Sequence, residues 1–249
     1  MNPARKVDLT VALPLYNSSP IFWLCLEGLC NQKTSYSWEL IVCEDPSDKF
    51  CGPSYIKPYL DRLESAGCVH FKYIPLKEWV PLGKKWKIIA DYALGENYML
   101  TAADNYSPSD RIQLSCDKLT GNTLWFDCRE SLFYNVLTKD LGHLTVAPEH
   151  TGVWMCTKSF LTKSLNSDGP RKGVDKWMRD QFKLNNNQKY TIKNYLLGIH
   201  TDGMNNISFD RKNMYKGGNQ KGQFSAVKYG LKDVLSDPLI KKINSLSEV

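Results

Sequence analysis

Trp86-Lys87-Ile88-Ile89-Ala90-Asp91-Tyr92-Ala93-Leu94-Gly95-Glu96-Asn97-Tyr98-Met99-Leu100-Thr101-Ala102-Ala103-Asp104-Asn105 changes its hydrophobic period within one short stretch. Trp86, Ile89, Ala90, Ala93 and Leu94 recur at helical spacing, and Gly95 reads as the C-cap. Tyr98 to Thr101 is a compact apolar strand whose end turns polar at Asp104 and Asn105. Ser107-Pro108-Ser109-Asp110 then resembles a capping box and predicts a helix to about Leu119. A helix, a strand, a polar strand end and another helix are the parts of a βαβ unit.

The same rhythm runs back to the start of the chain. Val7 to Leu13 reads as a strand, and Ser19-Pro20 as an N-cap with proline at the first helical position. Phe22, Cys25, Leu26, Leu29 and Cys30 stripe the next helix. Glu39 to Cys43 is a second strand, Ile56, Tyr59, Leu60 and Leu63 stripe a helix that stops at Gly67, and Val69 to Ile74 is a third strand. This alternation predicts an α/β fold with a mostly parallel sheet, and such sheets bind ligands at the carboxyl ends of their strands. Those ends read Pro14-Leu15-Tyr16-Asn17, Glu44-Asp45-Pro46-Ser47-Asp48 and Ala102-Ala103-Asp104-Asn105-Tyr106. Each set is also ordinary turn chemistry. Three of them on successive strands make a polar pocket.

After Gly121 the pattern loosens. Strands are expected at 122–126, 131–137 and 152–156, and helices at 159–165 and 174–184, with no internal repeat. The chain has 249 residues, 42% of them hydrophobic, which suffices for a large core and excludes intrinsic disorder. No window approaches a membrane span and the first residues show no signal-peptide pattern, so a soluble, cytoplasmic protein without transmembrane anchoring is expected. Eight cysteines without a C-x-x-C pair point to buried thiols rather than a disulfide scaffold or structural zinc. Of the net charge of +6, residues 210–249 carry +4, from eight Lys and Arg against four Asp and Glu.

The ordered set of strand ends resembles a family 2 glycosyltransferase of the GT-A fold. The opening strand with its Pro-x-Tyr-Asn turn, Glu39 to Asp48 with its acidic pair, and Gly95 to Asn105 continuing to Asp110-Arg111-Ile112 resemble the family's segments in order, over residues 7–119. The resemblance implies a Rossmann-like nucleotide-binding half and a smaller, mixed acceptor-side half. Residues 1–120 would be the nucleotide-sugar half, 121–209 the acceptor half, and 210–249 a basic C-terminal extension. It also implies roles: Pro14, Tyr16 and Asn17 beside a uracil-type base, Glu44 or Asp45 accepting from base or ribose, and Lys84 or Lys87 near the pyrophosphate. Ala103, Asp104 and Asn105 would face the donor, with Asp104 holding Mn²⁺ or Mg²⁺ against the phosphates. Ala102 stands where the family has the first acid of its Asp-x-Asp motif. A lone carboxylate binds a hard cation weakly, so the metal would need the donor's phosphates and another ligand.

Family members return a histidine to the metal or diphosphate from a C-terminal loop. His200, in Gly198-Ile199-His200-Thr201-Asp202-Gly203, fits that place, and it equally fits a surface-loop histidine. Inverting transfer to a hydroxyl needs a carboxylate base. Gly173 to Arg179 resembles the family's segment and makes Asp175 the candidate, with Glu149 and Asp168 in reserve; Asp175 also suits a helix-start acid or an i,i+4 partner of Arg179. Trp154 and Trp177 would offer the acceptor a platform, or belong to the core. The expected activity is transfer of a sugar from a nucleotide-sugar donor, UDP-linked by preference, to a carbohydrate or to a hydroxylated or hydroxymethylated DNA base. The basic tail, with Lys216 to Gly222 reading as mobile, is what admits DNA. The rival readings are a nucleotidyltransferase, which would carry a glycine-rich phosphate loop that Leu13 to Ser19 lacks, and a non-catalytic sugar-nucleotide-binding module.

Overall fold

The computed structural model describes residues 6–18, 20–136, 139, 141–145, 154–165, 174–181, 188–202, 224–225 and 230–246. Its first half is four parallel strands, β1 (Leu9–Leu15), β2 (Trp38–Glu44), β3 (Cys68–Pro75) and β4 (Asn97–Leu100). They are joined by α1 (Phe22–Cys30), α2 (Gly52–Ile56), α3 (Leu60–Ser65) and α4 (Leu82–Tyr92). The short β5 (Asn105–Tyr106) and α5 (Arg111–Lys118) come next. Beyond them lie β6 (Trp125–Asn135), β7 (Leu141–Thr145), β8 (Trp154–Thr157), α6 (Lys158–Ser164), α7 (Val174–Gln181), β9 (Lys189–Asp202), β10 (Phe224–Ser225) and α8 (Asp237–Ser245).

The sheet runs β10-β7-β6-β8-β4-β1-β2-β3, with β9 lying along β6 and also pairing with β5. Strands β3, β2, β1 and β4 are mutually parallel, whereas β8 runs against β4 and β6 against β8. Both faces of the parallel part are covered, which is why its strands read as continuous apolar runs rather than alternating ones. Leu9, Val11, Leu13 and Leu15 of β1 pack on Phe22, Cys25, Leu26 and Leu29 of α1 and on Ile112 of α5. On the other face Ala12, Ile41 and Cys43 meet Trp86, Ile89 and Ala90 of α4, continuing to Trp125, Trp154 and Phe160.

Strand β1 pairs with β2 over its whole length, Leu9↔Trp38 to Leu15↔Glu44, but with β4 only from Leu9↔Asn97 to Ala12↔Leu100. Pro14 therefore lies past the end of the β4 ladder, where its missing N–H breaks no bond on that side. Chain order reverses between β1 and β4, and the early parting of these strands opens a crevice at their carboxyl ends.

Four expectations change. In place of two strands over 122–126 and 131–137, Trp125 to Asn135 form one, and its register with β9 shifts on either side of Glu130. Gly95 does not cap α4 in a left-handed conformation: the helix ends at Tyr92, and a Cβ on Gly95 would lie 2.6 Å from the backbone of Leu9 and Thr10. Close approach of chains is what requires glycine there. Pro58 splits the expected helix over 56–63 into α2, a 3₁₀ turn over Lys57–Tyr59 and α3, because proline lacks the donor a continuous helix needs. Asp110 holds the N-cap of α5 without a side-chain capping bond, and Ile21 precedes α1, Ser19 lying outside the described residues.

Part of the expected C-terminal extension is folded onto the rest. Leu235 and Ile243 are buried against Trp23, Leu24 and Tyr134, the Tyr134 hydroxyl bonds Asn244, and Lys242 Nζ sits 4.0 Å from the Trp23 ring centre. Residues 216–222 lie outside the described residues. No described helix is long and apolar enough to cross a membrane. Six cysteines are buried and Cys30 and Cys51 are half-buried, all as free thiols.

Candidate active site

The segments after β1, β2, β3 and β4 build the crevice. Past Leu15 the chain turns at Asn17, whose φ of 55° is the left-handed conformation asparagine tolerates best after glycine. That turn leaves Tyr16 exposed and Asn17 half-buried.

The acidic pair after β2 divides its labour. Glu44 is fully buried and accepts from the Cys51 amide at 2.8 Å, the Gly52 amide at 3.1 Å and the Tyr73 hydroxyl. Burial, reinforced by that bond to Glu44, pushes the Tyr73 phenol upward, so it stays a donor. Glu44 thus pins the loop after β2, with its described bonds spent on protein partners. Asp45, equally buried, ties the segment after β3 to α4: Oδ1 accepts the Val80 N–H at 3.3 Å and Oδ2 is ion-paired with Lys85. Lys85 also donates to the Leu15 carbonyl at 3.0 Å, and its Nζ lies 5.7 Å from the Tyr16 ring centre.

Lys85 is a residue that reading the sequence missed. Of the two lysines singled out, Lys84 is half-buried and Lys87 exposed; the lysine that α4 turns into the sheet is Lys85. The signal was present, because positions 82, 85, 86, 89, 90 and 93 share one helix face and Lys85 is a cation in that apolar phase.

At the end of β4, exposure alternates. Ala102 and Asp104 are half-buried while Thr101, Ala103 and Asn105 are buried. Ala102 therefore shares the open phase of Asp104, as the two acids of an Asp-x-Asp motif would. Asn105 is 1% exposed, and neither its amide oxygen nor its nitrogen has a hydrogen-bond partner among the described residues. Strand β9 closes the site from the second half: the Thr201 N–H and Oγ1 both donate to the Asp104 carbonyl, at 2.9 and 3.0 Å. Its register sets His200 opposite Asn105 and Phe133. His200 is therefore a strand residue and not a loop residue; its backbone adjoins the Asp104 turn, and its side chain lies outside the described residues.

Beneath the turn lies a second missed residue. Arg111, 1% exposed at the start of α5, donates to the Leu100 carbonyl at 2.5 Å and to Ser107 Oγ at 2.8 Å. Burial lowers its pKa to about 10, so it stays cationic at neutral pH. Gly28 of α1 makes room for this loop, since a Cβ there would meet the Ser107 amide at 2.6 Å.

Asp175 belongs to α7, whose Val174 and Met178 are buried on the α4 side of the sheet; the Asp175 side chain lies outside the described residues, as do Glu149 and Asp168. Trp154 is core, stacked on Trp125 with ring centres 4.8 Å apart, and Trp177 is half-buried. A groove of about 750 Å³ lined by Leu94, Asn97, Thr157 and Lys163 lies at the opposite, amino edge of the sheet and holds none of these groups. No cluster of three or more His, Cys, Asp or Glu suited to a metal occurs among the described residues.

This arrangement of strands, with the crevice at its switch point, is the GT-A glycosyltransferase fold. Among solved structures, the chain is similar to S. aureus TarS 1–349 in complex with UDP, with a TM-score of 0.60 and 13% identity over 79% of this chain and 61% of that one. The same TarS fragment with UDP-GlcNAc gives a TM-score of 0.59 at 12% identity over 79% and 59%. The mannosyltransferase PcManGT from Pyrobaculum calidifontis, in complex with GDP-Man and Mn²⁺, gives 0.58 at 15% identity over 79% and 57%. The chain thus aligns with about three fifths of the length of these structures. No protein-family model and no curated protein sequence matches it.

Proposed function

We propose that the chain is a nucleotide-sugar-dependent glycosyltransferase that inverts the sugar and is assisted by a divalent cation. The observation that carries this reading is the buried Asp45–Lys85 pair at the carboxyl end of β2, with the Lys85 ammonium 5.7 Å from the ring centre of exposed Tyr16. An acceptor and a donor held side by side complement a base edge with a keto oxygen next to a ring N–H. Uracil and guanine have that edge, and adenine and cytosine do not. The UDP and GDP-Man complexes of the similar structures accord with it. UDP-sugars remain the preferred donors.

Asp104 would hold Mn²⁺ or Mg²⁺, with the orphaned Asn105 amide beside it and His200 arriving on β9. One carboxylate fits a cation shared with a diphosphate better than one bound by the protein alone. When bound, the cation supplies charge neutralisation of the departing diphosphate. Asp175 is proposed as the base: it takes the acceptor hydroxyl proton as that oxygen bonds to the anomeric carbon, and the bond from that carbon to the diphosphate breaks. The acceptor is a carbohydrate or a hydroxylated DNA base.

The test is incubation of the purified chain with a panel of nucleotide sugars and Mn²⁺, with and without acceptors. Release of nucleoside diphosphate supports the reading. Pyrophosphate release from nucleoside triphosphates would favour a nucleotidyltransferase, and binding without turnover a non-catalytic module.

A further inference from the structure

Arg111 is 1% exposed, and among the described residues no carboxylate is ion-paired with it. Taking a cation out of water without a counter-charge is costly. The same segment shows that neutral groups can serve its backbone. Buried Gln32 accepts the Ile112 N–H at 3.0 Å and donates to the Gly28 and Pro108 carbonyls at 2.9 and 2.7 Å, which ties α5 to α1. A buried guanidinium beside that amide calls for a reason of its own.

Its two partners supply one. The Leu100 carbonyl and Ser107 Oγ stand at the two ends of the stretch Thr101 to Tyr106, and Asp104 is the only acid within it. Strand β9 holds this turn at its middle, through the Asp104 carbonyl; Arg111 holds it at both ends. The rigid fork of a guanidinium suits two acceptors on separate arms of a turn, where an ammonium is only a point charge. The Cys25 thiol beneath feels both the Arg111 cation and the Asp104 anion, so the two charges share one buried neighbourhood. Arg111 thus grips the turn by its ends and not by the carboxylate.

Building on the proposed cation site, we infer that Arg111 is a positioning residue, whose guanidinium clips the ends of the 101–106 turn and so fixes where the Asp104 carboxylate stands. Being buried, it acts through the backbone of the turn alone.

The experiment compares wild type, Arg111→Lys, Arg111→Met, Ser107→Ala and Gln32→Met. Electron paramagnetic resonance follows Mn²⁺ binding at saturating UDP, calorimetric titration follows UDP without metal, and circular dichroism follows melting. Arg111→Met should bind Mn²⁺ roughly 10- to 100-fold more weakly, the range for a lost partner behind a metal ligand. Arg111→Lys and Ser107→Ala should move the same way by less, with UDP affinity in the absence of metal unchanged. Gln32→Met should melt lower and keep its Mn²⁺ affinity, because the clip is intact. Where Arg111→Met fails to fold, Arg111→Lys and Ser107→Ala decide. Unchanged Mn²⁺ affinity in those two, or a loss in Gln32→Met as large as in the clip variants, would reduce Arg111 to a structural role and overturn the inference while the cation site stands. A wild type that binds no Mn²⁺ in the presence of UDP would overturn the cation site and this inference with it.

Discussion

Replacing Lys85 by methionine isolates the contribution of the buried pair at the crevice floor. Lys85 is 4% exposed and Asp45 is 0% exposed, so neither charge is screened by water. Methionine keeps most of the side-chain volume against Trp86 and Ile89 but strips the partner from Asp45 Oδ2 and removes the 3.0 Å bond to the Leu15 carbonyl. Asp45 would retain only the 3.3 Å bond from Val80. Leaving one charge of a buried pair alone costs about 3–5 kcal/mol. In a chain of this length that corresponds to a fall in melting temperature of roughly 6–20 °C. Asp45→Asn leaves the ammonium stranded and should cost about as much. The double variant removes both charges and should regain roughly 2 kcal/mol or more relative to either single, since replacing a buried pair by neutral groups is often close to neutral. Guanidinium unfolding followed by circular dichroism gives all four stabilities. Calorimetric titration with UDP below the lowest midpoint should find binding lost in the double variant although its fold is restored. Additive single effects, or Lys85→Met as stable as wild type, would refute this account of the pair.

Asp104→Asn should abolish transfer while circular dichroism shows the fold intact, because the backbone carbonyl that accepts from Thr201 is kept by the substitution. Asp175→Asn should slow turnover by ~100-fold or more, as removal of a general base does, with nucleotide-sugar affinity unchanged by titration; lost affinity would move Asp175 to the donor site. A chain ending at Tyr229 loses the burial of Leu235 and Ile243, about 3–6 kcal/mol at 1.5–3 per side chain, and should show a clearly lower unfolding midpoint even if donor hydrolysis survives. Burial holds the thiols of Cys25, Cys43, Cys68 and Cys116 up to about 12 from their usual 9.0. Their contribution to stability is therefore complete below pH 9 and is lost as the unfolded chain ionises between pH 9 and 12; guanidinium midpoints should fall through that window.

The first half of the molecule is legible in its sequence because each apolar run is buried within its own βαβ unit. Strands β1 to β4 and helices α1, α4 and α5 lie within a few residues of where periodicity places them, and the polar strand ends fall at the carboxyl edge of the parallel sheet. The second half owes its shape to distant partners. Strand β6 meets β8, β7 and β9 in turn, so the continuity between 126 and 131 comes from those partners and not from neighbouring residues. Strand β5 has two residues and exists because β9 arrives beside it. No local pattern announces such a strand. Likewise the basic composition of the C-terminus conceals that Leu235 and Ile243 lie in the apolar phase of a segment that seals α1.

The two site residues that periodicity missed have a common physical origin. Lys85 and Arg111 are both cations in the apolar phase of a helix, where a strict pattern reader expects leucine. Each donates to a main-chain carbonyl at the lip of the crevice, Lys85 to Leu15 at the end of β1 and Arg111 to Leu100 at the end of β4. These are the two strands that part there: the β1–β4 ladder stops at Ala12↔Leu100, and β8 accompanies β4 only to Met99. Parting leaves the Leu100 carbonyl past its last paired residues, where an unsatisfied buried carbonyl is costly, whereas the Leu15 carbonyl already accepts the Asp45 N–H at 3.2 Å and takes Lys85 as a second donor. A long basic side chain answers this better than a neutral one. It crosses the apolar layer on its methylenes and donates to the carbonyl. The need for it arises only once β1 and β4 have separated, which is a property of the assembled sheet and of no single segment. A cation within an otherwise apolar helix stripe, next to a strand end, is therefore the sequence trace of a switch-point crevice, and in this chain it occurs once on each side of the crevice.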